Sequence, residues 1–323
     1  NLLWIEEGES FQLALEAYLP DTVRSRMASS FQHYACIRYE IEIGLDAATN
    51  LIGLNHEVLW LMDHSSGDEQ PQRDLFPTPT DAPETLFIKA GKGRKIIPSF
   101  RLGRETAAIA NIPADKDSFL AAPWFRDLLA EGIQSLTLNS YKMRQPSPPG
   151  LGRGFQPDGS NLPWVIHELR QDAIRFRDWI EHVQTALPDI EDIESIERPE
   201  DRHRYIVLHY SGGATVPSWL VSDGTLRLLA LTIPAYVPEF FGVMLVEEPE
   251  NGIHPRAIET ALQSLSSIYD GQVLLATHSP VALNMIRPAD VLCFAKDSDG
   301  ATDIVAGNRH PALREWKQGE PDL

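Results

Sequence analysis

Cysteine, positive charge and long apolar runs are all scarce in this chain of 323 residues. Its two cysteines, Cys36 and Cys293, lie far apart, which argues against a disulfide scaffold and against a cysteine-based zinc site. The longest apolar stretch, 228–246, is interrupted by two prolines and a glutamate, so it is too short to cross a bilayer. We therefore predict a soluble, cytoplasmic protein that does not enter a membrane.

Acidic residues outnumber basic ones, 46 Asp and Glu against 28 Lys and Arg, which gives a net charge of −18. Because this charge repels nucleic-acid phosphates, direct nucleic-acid binding would require a local basic patch. One candidate patch has six basic residues and no acidic residue within 16 positions: Lys89, Lys92, Arg94, Lys95, Arg101 and Arg104. It could contact nucleic acid or an acidic partner, or it could be the solvated face of a hairpin.

The first hundred residues contain mostly strand patterns. Apolar residues between positions 11 and 19 predict one short amphipathic helix near the start. Alternating apolar and polar residues predict strands at 33–44 and 51–62, which we expect to pair in antiparallel fashion. Two shorter strands are predicted at 85–89 and 95–100.

The middle of the chain has helical patterns. A candidate N-cap at Ser160 precedes apolar residues at three- and four-residue spacing as far as Leu187. This spacing predicts one helix of about 27 residues. We expect the acidic segment 188–201 to end that helix and to face solvent.

Two adjacent carboxylates, Glu247 and Glu248, directly follow the apolar run 243–246, which has the character of a buried strand. At the carboxyl end of a parallel strand, such side chains project into the crevice where ligands bind. Because neighbouring strand residues point in opposite directions, we expect one glutamate to hold Mg²⁺ and the other to activate the water that attacks a γ-phosphate. The alternative is a strand that runs into an ordinary charged turn.

A second apolar run, 273–276, also ends in polar residues, of which His278 is the second. Between the two runs, the segment 255–269 starts with a proline and ends before an Asp-Gly pair, which predicts a helix. A right-handed strand–helix–strand unit places both strand ends at one sheet edge, so His278 should lie near Glu248. The alternative is a histidine with a structural role only.

The segment 222–227 predicts the start of a further helix. Ser222 is a natural N-cap, and Gly224 follows it closely. Such a helix start offers free backbone N–H groups and a positive dipole end to an anion. The alternative is an ordinary capped helix without a ligand.

In this order, the three features resemble the ABC-type ATPases of the SMC and RecF-like branch, especially the stand-alone ATPases related to the overcoming-lysogenization-defect family. The resemblance is close over 205–295. In it, 222–227 matches the signature motif, 243–248 matches the Walker B strand with its following catalytic glutamate, and His278 matches the switch histidine. The segment 249–255 matches the stretch that contacts the second subunit.

The resemblance implies an α/β fold of the ABC-type P-loop NTPase class, with an antiparallel β subdomain and a helical lobe. The N-terminal part of the ATPase lobe, with the β subdomain, is expected at 1–120. The helical lobe is expected at 121–204, and the C-terminal part of the ATPase lobe at 205–323.

The resemblance also implies roles for the site residues, with ATP and Mg²⁺ bound between two subunits. Glu247 is expected to support Mg²⁺, Glu248 to act as the general base, and His278 to sense the γ-phosphate. Four residues are expected to contact the ATP that the second subunit holds: Ser222, Asp223, Gly224 and Arg227.

One motif of this family, the Walker A loop GxxxxGK followed by Ser or Thr, is missing from the sequence. Two glycine-rich segments, 91–95 and 150–154, lack either its spacing or its lysine. In the family that the sequence resembles, this loop lies near the amino terminus, and the chain starts at Asn1 and not at a methionine. We therefore expect the loop to precede the sequence.

The resemblance therefore predicts an ATPase that acts as an ATP-dependent dimerisation switch, as a homodimer or a higher oligomer. Its likeness to stand-alone members implies a nuclease or toxin partner in bacterial antiphage defence. Two alternatives stay open. One is a DNA repair or chromosome-maintenance ATPase that binds DNA through the basic patch, and the other is a non-hydrolysing scaffold.

Overall fold

The computed structural model of the chain describes residues 10–27, 29, 31–45, 51–63, 73–76, 88–89, 95–96, 104–112, 120–151, 154–237, 242–269, 271–311 and 313. The chain divides into two compact units, Asn1–Gly132 and Ile133–Leu323. Both units contain helices and sheets, which confirms the predicted α/β class. None of the helices within the described residues combines the length and the apolar character needed to cross a membrane.

The N-terminal unit is built on a four-stranded antiparallel sheet. Its strands, hydrogen-bonded in this order, are β1 (Ser10–Tyr18), β2 (Cys36–Leu45), β3 (Ile52–Met62) and β4 (Arg73–Phe76). The unit also contains a small hairpin of β5 (Ile88–Lys89) and β6 (Lys95–Ile96), and the helices α1 (Asp21–Arg24) and α2 (Ala121–Glu131). Its core includes the fully buried side chains of Ile37, Leu59 and Phe125.

Strand β1 lies where the sequence pattern predicted an amphipathic helix, so that prediction is wrong. Phe11, Leu13 and Leu15 are two residues apart, which is the period of a strand and not of a helix. All of β1 pairs with β2 in antiparallel register, so the backbone groups of β1 that face β2 find hydrogen-bond partners there. The predicted antiparallel pairing of β2 with β3 is confirmed.

The C-terminal unit contains an antiparallel sheet, a parallel sheet and the helices that pack on them. The antiparallel sheet has the order β10–β9–β8, with β8 (Ile190–Glu197), β9 (Arg204–Tyr210) and β10 (Thr215–Pro217). The parallel sheet has the order β12–β11–β7, with β7 (Ile133–Leu136), β11 (Gly242–Glu247) and β12 (Gly271–Ala276). The hairpin of β13 (Leu292–Lys296) and β14 (Thr302–Ala306) follows.

Within its described residues, this unit has six α-helices: α3 (Ser140–Arg144), α4 (Leu162–Leu169), α5 (Ala173–Gln184), α6 (Asp223–Thr232), α7 (Pro255–Ser266) and α8 (Pro280–Met285). Trp179 on α5, Leu229 on α6 and Ala261 on α7 are each fully buried in one apolar core. That core also takes in Ile206 of β9 and Met244 of β11. The helices therefore hold the two sheets against a common apolar interior.

Helices α4 and α5 occupy the region where one helix of about 27 residues was predicted, so that prediction is also wrong. Asp172 accepts hydrogen bonds from the backbone N–H groups of Ile174 (3.2 Å) and Arg175 (3.1 Å). Asp172 therefore caps the start of α5, and α4 and α5 are two separate helices. Ser160 is not the cap of α4, because that position belongs to Asn161.

The acidic segment 188–201, predicted to face solvent, contains the strand β8. Ile190 and Ile193 in this strand are buried in the core, while the charged residues between them point outward. The carboxylate of Asp192 pairs with Arg170 at 2.8 Å. Because most residues of the segment are charged, its sequence gives little sign of the apolar face that β8 buries.

The predicted strand–helix–strand unit is confirmed. β11 and β12 are parallel, from Gly242 opposite Gly271 to Glu247 opposite Ala276, and α7 connects them. On its other side, β11 pairs in parallel with β7. Met244 and Val246 of β11 are buried, as expected of a central strand in a parallel sheet.

Candidate functional site

The carboxyl ends of β7, β11 and β12 meet at one edge of the parallel sheet. The backbone N–H of Glu248 donates to the carbonyl of Ala276 at 2.8 Å. Ala276 precedes His278 by two residues, so the two strand ends lie side by side, as the sequence predicted. Polar loops from separate parts of the chain thus meet at the position where ligands bind in open α/β sheets.

Glu247 and Glu248 are both exposed, but their geometry differs from the expected strand alternation. β11 ends at Glu247, and Glu248 has a φ of 45°, in the left-handed region. This conformation costs a residue other than glycine about 1 kcal/mol or more. The direction of the Glu248 side chain is therefore set by a turn and not by the period of the strand.

We call residues 248–252 the post-β11 turn. The backbone N–H of Asn251 donates to the Glu248 carbonyl at 2.9 Å, and the Asn251 side-chain amide donates to the Glu248 carboxylate. Gly252 closes the turn with a φ of 80°. The carboxylate of Glu248 is thus held in a defined direction at the sheet edge by a side chain of its own turn.

Glu247 is the carboxylate predicted to support Mg²⁺. Its side chain is exposed and has no hydrogen bond or ion pair to another described residue. Carboxylate oxygens are ligands that Mg²⁺ prefers, so the chemistry of Glu247 fits this ion. No three His, Cys, Asp or Glu side chains form a metal-binding group in the described part of the chain, and Mg²⁺ binding by Glu247 stays a prediction.

Glu250 was not predicted as a site residue, yet it connects the two strand ends. Its Oε1 atom accepts from the Thr277 hydroxyl at 2.7 Å and from the backbone N–H of His278 at 3.1 Å. The Thr277 hydroxyl oxygen in turn accepts from the N–H of Ser279 at 3.0 Å. Its acidic side chain, directly after Pro249 in the segment 249–255, is the signal in the sequence that could have indicated it.

Ser222 is the N-cap of α6, as predicted. Its hydroxyl oxygen accepts from the backbone N–H of Thr225 at 3.1 Å, and the two hydroxyls are 2.8 Å apart. Ser222 and Asp223 are both exposed. The helix start therefore has the geometry that the anion-binding hypothesis requires, and whether it binds a nucleotide stays a prediction.

The start of α6 packs directly on the post-β11 turn. A Cβ atom on Gly224 would lie 2.7 Å from the carbonyl oxygen of Gly252, closer than real Cβ contacts. Arg227, one helical turn further along, lies 3.4 Å from the position of a Cβ on Gly252. Glycine at position 224 thus allows a close approach of two backbones.

Arg144 at the end of α3 also fixes this helix start, although it is not among the predicted site residues. Its guanidinium donates to the Val221 carbonyl at 2.8 Å and pairs with the Asp223 carboxylate at 2.5 Å. Asp223, predicted to contact ATP, is therefore paired within its own chain. Arg227 donates to the Leu138 carbonyl at 3.4 Å. Nothing in the local sequence around Arg144 indicates a contact 77 positions away.

Asp158 anchors α3 from the other side. Its carboxylate lies 2.8 Å from the Lys142 ammonium and accepts from the backbone N–H of Ser160 at 2.9 Å. Although burial raises the pKa of Asp158, hydrogen bonds from Lys142 and Ser160 lower it to about 2. This carboxylate is thus ionised and holds the segment that carries Arg144.

The predicted basic patch lies in the N-terminal unit. Lys89 and Lys95 are opposite each other in the hairpin of β5 and β6, and the patch members Lys92, Arg94 and Arg101 lie outside the described residues. Arg104 donates to the Leu54 carbonyl at 3.2 Å and also to the Asn55 side chain. Nucleic-acid binding by this patch stays a prediction.

Residues 15–284 match the model of a protein family described as "AAA domain, putative AbiEii toxin, Type IV TA system". No curated protein matches the chain. Among solved structures, the chain is similar to an SMC head bound to the C-winged helix domain of ScpA. The TM-score is 0.51 and the identity 13%, over 95% of this chain and 77% of that one.

Two more SMC structures match with lower scores. The Smc head domain of Pyrococcus furiosus, bound to the C-terminal domain of ScpA, has a TM-score of 0.42 and 13% identity, over 88% of this chain and 79% of that one. The other is an SMC ATPase structure from work on ATP-driven dimerisation and DNA-stimulated activation of SMC ATPases. Its TM-score is 0.36 and its identity 15%, over 49% of this chain and 99% of that one. The fold predicted from the motifs, that of an SMC-like ATPase head, is confirmed by the first of these structures.

Proposed function

The chain belongs to the AAA-domain family that its residues 15–284 match, and from this premise we propose that it binds and hydrolyses ATP and uses ATP to control its own dimerisation. The fold is that of an SMC-like ATPase head. A single observation carries the proposal. Glu247, Glu248 and His278 lie at the ends of two adjacent parallel strands, and the start of α6 packs on the turn between them.

In the proposed reaction, Glu248 orients the attacking water and accepts its proton. The left-handed backbone of Glu248 and the hydrogen bond from Asn251 direct the carboxylate before substrate arrives. We propose that His278, on the neighbouring strand end, contacts the γ-phosphate. Mg²⁺, when bound, would neutralise charge on the phosphates, and Glu247 is the residue that would hold it.

Ser222, Asp223, Gly224 and Arg227 are proposed to contact the ATP of a second subunit, in a homodimer or a higher oligomer. The exposed N-cap and the free N–H groups of the first turn of α6 suit an anion. The ion pair with Arg144 reduces the repulsion between the Asp223 carboxylate and a phosphate. These contacts would make ATP part of the subunit interface.

We further propose a role in antiphage defence together with a nuclease or toxin partner. The family description names a toxin of a type IV toxin–antitoxin system, which supports a defence role. The likeness of the sequence motifs to those of stand-alone ATPases implies such a partner. A function in DNA repair or chromosome maintenance would instead require salt-sensitive DNA binding through the Lys89–Arg104 patch.

The variant Glu248→Gln tests the proposed reaction in the full-length protein. Glutamine keeps the size of the side chain but cannot accept the proton, so phosphate release should fall by about 10²- to 10⁴-fold. ATP-bound dimers should persist, which size-exclusion chromatography with ATP and Mg²⁺ measures.

Glu259→Gln is the matched control. Glu259 is exposed on α7, and its carboxylate accepts a 3.3 Å hydrogen bond from Gln263, one helical turn further along the same helix. Its variant should release phosphate at the wild-type rate. If Glu248→Gln also keeps that rate, the proposed role of Glu248 is wrong and the scaffold alternative gains support.

A further inference from the structure

We propose that Glu250 is a positioning residue that holds His278 in place relative to Glu248. The proposal rests on the proposed function and adds to it a residue that touches neither nucleotide nor metal. Glu250 lies two residues after Glu248, in the middle of the post-β11 turn. Its effect is transmitted through the backbone of His278.

The contacts of Glu250 converge on one atom. Oε1 accepts from the Thr277 hydroxyl at 2.7 Å and from the His278 backbone N–H at 3.1 Å. Hydrogen bonds to an ionised carboxylate are among the stronger ones in proteins. The segment that carries His278 is thus fixed at two successive residues by a side chain from the neighbouring strand end.

A second link makes the arrangement rigid. The Glu248 N–H donates to the Ala276 carbonyl at 2.8 Å, so the post-β11 turn bonds to the end of β12 at two places. Glu248 and Glu250 belong to the same turn, whose shape is fixed by Asn251. Because two bonds from one turn reach Ala276 and His278, the separation of Glu248 from His278 is defined by this turn.

The other oxygen, Oε2 of Glu250, is buried and has no partner among the described residues. A glutamine at this position can therefore keep its amide oxygen where Oε1 lies and place its amide nitrogen where Oε2 lies. Alanine removes both hydrogen bonds. The pair Glu250→Gln and Glu250→Ala thus separates the role of the hydrogen bonds from that of the charge.

The first measurement is independent of ATP. Amide hydrogen exchange in the nucleotide-free full-length protein should be about tenfold faster at His278 in Glu250→Ala, because one charge-assisted hydrogen bond is lost. Glu250→Gln should stay close to the wild-type rate. Glu259→Ala, an exposed glutamate on α7, is the matched control and should leave exchange at His278 unchanged.

The second measurement is steady-state phosphate release. Glu250→Ala should lower kcat by roughly 10- to 100-fold, since misplacing a catalytic group by about 1 Å costs on that order. The Kd for ATP measured by equilibrium titration should stay within about twofold of wild type, because Glu250 does not contact the nucleotide. Glu250→Gln should recover most of the lost turnover.

Two results would overturn the proposal. One is exchange at His278 that is as slow in Glu250→Ala as in Glu259→Ala, which would mean that Glu250 does not hold this segment. The other is faster exchange with unchanged kcat, which would mean that the position of His278 is immaterial to turnover. A wild-type protein that releases no phosphate would refute the proposed function itself, and the exchange rates would then still report on the contact.

Discussion

Replacing Gly224 with alanine tests how closely the start of α6 packs on the post-β11 turn. The added Cβ would lie 2.7 Å from the carbonyl oxygen of Gly252 and 3.5 Å from the Cα of Ile253. An ordinary van der Waals contact begins near 3.4 Å, so the two backbones must separate by several tenths of an ångström. The atom in the way belongs to the backbone, which cannot rotate aside as a flexible side chain can.

The expected cost follows from two opposing terms. Forcing extra volume into a packed contact destabilises a protein by about 1–3 kcal/mol. Alanine gains up to about 1 kcal/mol over glycine in a helix interior, and less in the first turn, where Gly224 lies. We therefore expect Gly224→Ala to lower the free energy of unfolding by about 1–2 kcal/mol.

Denaturant unfolding of the full-length protein measures this change as a lower midpoint at an unchanged slope. Gly212→Ala is the matched control, because a Cβ at that glycine meets nothing within 4 Å and its φ is not in the left-handed region. It should change stability by less than about 0.5 kcal/mol. Equal stability of Gly224→Ala and Gly212→Ala would refute the close packing of α6 on this turn.

Two further predictions concern hydrogen bonds within the C-terminal unit. Asp158→Asn should remove a pH-dependent part of the stability, because hydrogen bonds lower the pKa of Asp158 from 3.8 to about 2 in the folded chain even though burial opposes them. The stabilisation by the ionised Asp158 is present above about pH 4 and is lost as the pH falls toward 2. The unfolding midpoints of wild type and variant should therefore differ at pH 6 and converge near pH 2. A difference that stays constant over this pH range would contradict the prediction. Thr232→Val should lower the free energy of unfolding by about 1–3 kcal/mol, because the buried Trp179 indole N–H loses its acceptor, the Thr232 hydroxyl at 3.0 Å. Thr302→Val is the control in urea unfolding, because Thr302 is exposed on β14 and its side chain makes no hydrogen bond to another described residue; equal losses in the two variants would disprove the importance of the buried bond.

The parts of the fold that could be predicted are those whose signal is local. The unit of β11, α7 and β12 has two short apolar runs, a proline at the helix start and polar residues at both strand ends. Each of these signals occupies a few neighbouring positions, and the handedness of the connection fixes how they assemble. The same holds for Ser222, because an N-cap contacts residues only two or three positions ahead.

The predictions that failed depended on a partner elsewhere in the chain. β1 is a strand because β2 pairs with it. The residues of β1 indicate a strand only through their two-residue apolar spacing, which is easily mistaken for the pattern of an amphipathic helix. In the segment 188–201, the buried Ile190 and Ile193 lie among acidic residues. Two of these acidic residues form ion pairs with arginines outside the segment, Asp192 with Arg170 and Glu197 with Arg204. The break between α4 and α5 does have a local signal, because Asp172 is a strong N-cap. The apolar spacing continues across the break, however, and this spacing predicted a single helix.

The candidate site divides in the same way. Glu247, Glu248 and His278 could be identified because each follows an apolar run directly. Glu250 and Arg144 could not, because their roles lie in contacts with His278 and Val221, 28 and 77 positions away. A residue that positions another side chain has no characteristic sequence pattern, since any hydrogen-bond donor or acceptor of suitable length can make the same contact.

The post-β11 turn connects the features that were predicted separately. Glu248 opens it, Glu250 in its middle bonds to His278, and Gly252 at its end supports Gly224 at the start of α6. Two of its five residues have positive φ, 45° at Glu248 and 80° at Gly252, so the turn has few other conformations available. A ligand or a second subunit that displaces the start of α6 therefore presses on the same short segment that directs Glu248 and holds His278. We accordingly expect Gly224→Ala to reduce phosphate release as well as stability, whereas Thr232→Val should reduce stability alone.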